Sequence, residues 1–212
     1  MRLHYYPGNA NLAPHMLLEE LGVPYELALV DRSVNAQKSA EYTKLNPAGR
    51  IPTLVDGDLV LFESAAICLH LCDTHPDAGL APPLGSAERA HFYKWLMYLT
   101  NTVQTEMLFY FYPERLADDE AARAQVKRHA QERVADMFDL LERAYVEQGG
   151  PYFLGARFTA VDCYLLMVSR WTRAMQRPAR EREHLGPYLR RLLERPAIAR
   201  AFESEGIQAP WI

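Results

Sequence analysis

The spacing of apolar residues changes several times along this chain. Residues 1–6 alternate loosely and end in two aromatics, which predicts a short strand. Pro7-Gly8 interrupts it. Leu12, Ala13, Met16, Leu17, Leu18 and Leu21 then recur at helical spacing. Asn9 or Asn11 is placed to cap that helix, and Gly22 with Pro24 to end it. Residues 25–30 predict a second strand, and the polar stretch 31–44 a loop holding a short irregular helix. Residues 53–62 read as two strands about an Asp56-Gly57 turn. A helix over 63–73 follows and is stopped by His75-Pro76.

This order is β-α-β, then α-β-β-α. The later strands have no crossover helix between them, so they pair antiparallel, and one mixed sheet with helices on both faces results. That is the thioredoxin-like α/β arrangement. Residues 76–85 carry Pro76, Pro82, Pro83, Gly79 and Gly85, the composition of a linker. Everything beyond reads as helix. Ser86 starts a long helix that runs to about Tyr112 and ends at Pro113. Asp118 or Asp119 starts another that ends at Gly149-Gly150. Thr159-Ala-Val-Asp162 has the form of a capping box, with Phe158 as its staple. Gly186-Pro187 and Pro196 open two more. The expected organisation is an α/β domain over 1–75, a linker over 76–85 and an all-α bundle over 86–212.

With 212 residues, 49% hydrophobic and 24% charged, the chain has the composition of a globular protein with ample core. A formal net charge of -4 argues against nucleic acid as a partner, which favours a basic face. No apolar run reaches the ~20 residues of a membrane helix, and no signal peptide is visible, so a cytoplasmic protein is expected. Cys68, Cys72 and Cys163 are too few for a disulfide framework. Cys68 and Cys72 share one helix face and read as buried packing. No Cys-x-x-Cys is present. The histidines show no metal spacing, so no metal is expected. His15, His70 and His75 read as structural or surface residues.

The chemistry concentrates in Asn46-Pro47-Ala-Gly-Arg-Ile51-Pro52, in Glu63-Ser64 before a helix, and in Phe158-Thr159-x-x-Asp162. In this order and spacing, over essentially the whole chain, the sequence resembles the glutathione transferases. Tyr5-Tyr6-Pro7-Gly8 and Ala13-Pro14-His15 are most similar to the bacterial beta class. The resemblance implies a detoxifying transferase, with glutathione as co-substrate and a small hydrophobic electrophile as the second substrate. It also implies a homodimer and a cis Ile51-Pro52 bond. Ile51, pushed to an extended conformation before proline, can pair its N–H and C=O with the cysteinyl backbone of glutathione. Ser64 at a helix start suits the γ-glutamyl carboxylate, and Glu63 the γ-glutamyl ammonium. Lys38 or Arg50 can reach the glycyl carboxylate.

The chain departs from the beta class where chemistry is needed. The class carries a cysteine two residues after Pro-Gly; here Ala10 stands there. A free thiol near pKa ~8.5 is only a few per cent thiolate at neutral pH, so a donor aimed at the sulfur is required. The expected order is Asn11, then Asn9, then Tyr5, with a loop backbone N–H as a further option. In the long helix, Trp95-Leu96-Met97-Tyr98 matches the class, but Gln104-Thr105 replaces its histidine and lysine. Gln104, Met107, Leu108 and Phe111, with Trp171, are expected to line an electrophile pocket. Two other readings remain open: a glutathione-dependent disulfide reductase or peroxidase, and a non-catalytic binding protein on the same fold.

Overall fold

The structure is a computed structural model that describes residues 1–212. The first unit is built on four strands: β1 (Arg2–Tyr5), β2 (Glu26–Leu29), β3 (Thr53–Asp56) and β4 (Leu59–Phe62). Their order is β2-β1-β3-β4, with β1 and β2 parallel and the other two pairs antiparallel. Leu3 faces Leu54 in the register, and both are fully buried. The β3–β4 turn has Gly57 at its first central position with φ 58°, the glycine-favouring choice for a two-residue hairpin.

Helix α1 (Leu12–Leu21) is buried from Leu12 to Leu18, a run that is apolar except for His15. It ends where Gly22, at φ 64°, donates its N–H to Leu18 O. Helix α2 (Ala40–Leu45) is capped by the Ser39 hydroxyl. Helix α3 (Ser64–Thr74) packs on α1, with Cys68 and Cys72 buried among its core residues.

The second unit holds α4 (Ala87–Met97), α5 (Thr105–Phe111), α6 (Glu120–Gln148) and α7 (Ala160–Trp171), and most of α8 (Leu185–Leu193). Ser86 and Asp119 supply the expected caps, accepting the N–H groups of Arg89 and Ala122. The expected long helix is helical without a break from Ala87 to Phe111, though not α-helical throughout. A π-helical stretch, Tyr98–Gln104, separates α4 from α5. It carries β-branched Thr100, Thr102 and Val103, which fit a regular helix less well. Helix α7 is buried along nearly its whole length and forms the centre of this unit. At its start Asp162 accepts from Thr159 N–H (2.8 Å), Phe153 N–H (2.9 Å) and Tyr188 Oη (2.7 Å). Burial pushes the Asp162 carboxyl above its ordinary range, against these donors, which favour its ionised form.

The units do not follow the chain order read from the sequence. Residues 193–211, with helix α9 (Pro196–Ser204), belong with residues 1–81, and residues 82–192 with Ile212 make up the other unit. Helix α9 packs on α1, and Arg195 and Arg200 pair with Glu20 and Glu19.

Candidate functional site

Sheet register brings three distant segments together. His4 faces Thr53 across β1 and β3, and Thr53 faces Phe62 across β3 and β4. The exit of β1 at Tyr5, the entry to β3 through Ile51-Pro52 and the exit of β4 into Glu63-Ser64 therefore share one end of the sheet. Neighbouring strands there lie about 4.8 Å apart.

The Ile51-Pro52 bond is cis. The Ile51 side chain is buried with Val30 and Tyr42, and Tyr6 and Ala36 pack against that cluster. Tyr42 Oη and Asn46 Nδ2 each donate to Arg50 O at 2.8 Å, which fixes the backbone just before Ile51. The Ile51 N–H and C=O have no partner within the chain. Lys38 Nζ donates to Ala48 O at 3.3 Å and lies over Gly49. Gly49 has φ 58°, a left-handed backbone conformation that favours glycine. Arg50 is exposed, and its side chain makes no ion pair or hydrogen bond.

Glu63 is exposed and has φ 73° and ψ 113°, a conformation that side chains rarely adopt. Its carbonyl takes the Ile67 N–H, the first bond of α3. The N–H groups of Ser64, Ala65 and Ala66 precede that bond and stay open. The Ser64 hydroxyl has no partner in the chain. A helix N-terminus with a free hydroxyl is suited to an anion.

The loop after β1 overturns the expected order of thiol donors. Asn11 is 0% exposed, and both ends of its amide are engaged. Its Oδ1 accepts from Tyr6 N–H at 3.1 Å, and its Nδ2 donates to Glu205 Oε1 at 2.7 Å. A group so enclosed holds the loop; it cannot touch a sulfur outside. Asn9 is half-buried. Its Oδ1 takes the Ala10 N–H at 2.9 Å, and its amide nitrogen has no acceptor in the chain. Tyr5 is also half-buried, with an unpaired hydroxyl. Burial, and then the Glu205 charge, push its pKa upward, so it remains a proton donor at neutral pH. Sequence reasoning missed Tyr42, whose hydroxyl has no local signal, and Glu205, which lies 194 residues from Asn11.

In the helical unit, the Phe111 and Trp171 rings meet edge-on at 6.4 Å. Gln104 Oε1 accepts from the Tyr164 hydroxyl. Leu108 is half-buried and Phe111 exposed, whereas Met107 is fully enclosed in the core and cannot line a pocket. His15 is buried, and His70 Nε2 lies 3.2 Å from Asp56 Oδ2. No group of three or more His, Cys, Asp or Glu residues is placed to hold a metal ion.

The profile of the glutathione S-transferase N-terminal domain matches residues 1–73, and that of the glutathione S-transferase C-terminal domain matches residues 103–205. A sphingomonad glutathione S-transferase complexed with glutathione is 30% identical, with a TM-score of 0.84, covering 98% of this chain and 100% of its own. The chain belongs to the glutathione S-transferase family. The transferase is also similar to the bacterial beta class enzyme of Sphingomonas chungbukensis, at 28% identity and TM-score 0.84 over 98% of this chain and 100% of that one. Glutathione S-transferase GstA of Escherichia coli O157:H7 is 29% identical over 98% of this chain and 100% of its own. No helix of the transferase is long and apolar enough to cross a membrane.

Proposed function

We propose that this transferase conjugates glutathione to small hydrophobic electrophiles. The observation that carries the reading is the set of unpaired groups at one end of the sheet: the Ile51 N–H and C=O, the Ser64 hydroxyl and the first-turn N–H groups of α3. In this reading the γ-glutamyl carboxylate sits on Ser64, its ammonium faces Glu63, and the cysteinyl backbone pairs with Ile51 beside Pro52. Lys38, held over the 48–50 loop, takes the glycyl carboxylate, with Arg50 second.

Asn9 Nδ2, the Tyr5 hydroxyl and the Asn11 backbone N–H are the groups left to favour the thiolate, and the Asn11 side chain orients the loop after β1. The thiol proton passes to water. The sulfur lone pair forms the S–C bond, and the leaving group departs with its bonding pair. No enzyme thiol takes part, since Cys68, Cys72 and Cys163 are all buried. Gln104, Leu108, Phe111 and Trp171 are proposed as electrophile contacts. A homodimer is proposed on β4, an edge strand whose Leu59, Val60 and Phe62 are exposed.

Calorimetry with glutathione and turnover of a chloronitrobenzene test the reading, on protein shown by light scattering to be dimeric. Ser64→Ala should weaken glutathione about tenfold, as loss of a hydrogen bond to a charged group does. No heat at millimolar glutathione would sink the proposal. Turnover of hydroxyethyl disulfide without conjugation would replace conjugation by reduction.

A further inference from the structure

Glu205 follows helix α9 and packs with the first unit. Its carboxylate is fully buried. Oε2 accepts from Gly8 N–H at 2.7 Å, and Oε1 from Asn11 Nδ2 at 2.7 Å. His15 Nδ1 also lies 2.7 Å from Oε1. Gly8 and Asn11 flank Asn9 and Ala10, so a single carboxylate ties down both ends of that two-residue tip. Asn11 extends the constraint to β1 by accepting the Tyr6 N–H. Farther out, His15 Nε2 lies 2.9 Å from the Tyr25 hydroxyl, which donates to Glu19, and Glu19 pairs with Arg200.

We infer that Glu205 is a positioning residue for thiol activation: its grip on Gly8 and Asn11 sets where the Asn9 amide and the Tyr5 end of β1 point. This rests on the conjugation reading above. Hydrogen bonds to a carboxylate are short and directional, which suits them to fixing a loop. Burying a charge is a poor way to gain stability alone, because desolvation offsets much of the attraction.

Charge and position act in opposite directions here, and that makes the inference testable. The Glu205 charge reaches the site, since it contributes to the raised Tyr5 pKa. Acting only as a charge it would disfavour a thiolate, and Glu205→Gln would then lower the thiol pKa of bound glutathione. Acting as a positioning group, its loss frees the loop, and the same variant raises that pKa. Glutamine keeps the volume but presents an N–H₂ donor where a second acceptor is needed.

The experiment measures thiolate absorbance of bound glutathione against pH, with calorimetry and steady-state kinetics, per folded protein. Glu205→Gln should raise the thiol pKa by about one unit and lower kcat about tenfold, with glutathione Kd within about twofold. Tyr25→Phe, which cuts only the outer contacts, should lower the unfolding midpoint and leave the thiol pKa in place. An unchanged or lowered pKa in Glu205→Gln overturns the inference, as does an equal rise in Tyr25→Phe. Should Glu205→Gln not fold, Asn11→Ala keeps the Gly8 contact while releasing the far end of the loop and the Tyr6 tie, and carries the same expected rise and the same overturning result. Wild-type protein that gives no heat with glutathione removes the conjugation reading and this inference together. Wild-type binding with an unmoved variant pKa removes this inference alone.

Discussion

At the scale of single residues, the site is marked by groups held in costly or unpaired states. Glu63 is the clearest case. A non-glycine residue at φ 73° and ψ 113° costs on the order of 1–3 kcal/mol, and such residues gather where function needs them. The strain places the Glu63 carboxylate outward beside the open start of α3. Glu63→Gly should therefore raise the unfolding midpoint by a few degrees while weakening glutathione binding severalfold, read by thermal melts and calorimetry side by side. A lower midpoint would mean that the backbone is not strained there. Ile51, Glu63 and Ser64 were legible in the sequence because proline and a helix start announce themselves locally. Asn11 was legible as an important residue but not in its role, because its partner Glu205 has no local signature.

At the scale of elements, start and stop signals set most boundaries. Ser86, Asp119 and Thr159-Asp162 each open the helix that their side chains suggest, since capping is a matter of three or four neighbouring residues. Asp162 does more than the box requires, because Phe153 N–H and Tyr188 Oη converge on it as well. Asp162→Ala leaves these buried donors without an acceptor. It should cost about 3 kcal/mol or more in urea unfolding, against ~1 kcal/mol for Thr159→Ala. Equal costs for the two variants would reduce Asp162 to an ordinary cap. The π-helical stretch was not legible. A helix that changes its hydrogen-bond step keeps nearly the same apolar spacing, so the sequence reads as one continuous helix from Ser86 to Tyr112.

At the scale of the whole molecule, the N-terminal unit is not a continuous piece of chain: its core and its loop after β1 depend on residues 193–211. Amide exchange should show α9 opening together with α1 and β1, at one shared free energy. An α9 that opens with α6 and α7 instead would contradict this division. The sequence by itself determined the α/β start, the helical remainder, the family and the segments around Ile51-Pro52 and Glu63-Ser64. All of these follow from local spacing, turn chemistry and caps, which need only neighbouring residues. Tertiary structure alone decided that Asn11 faces inward, that Met107 is core, and that a carboxylate from the far end of the chain anchors the loop next to Tyr5. The physical reason is that burial and long-range hydrogen bonds exist only after the backbone has brought distant residues together, and no spacing rule encodes which acceptor a buried amide will meet.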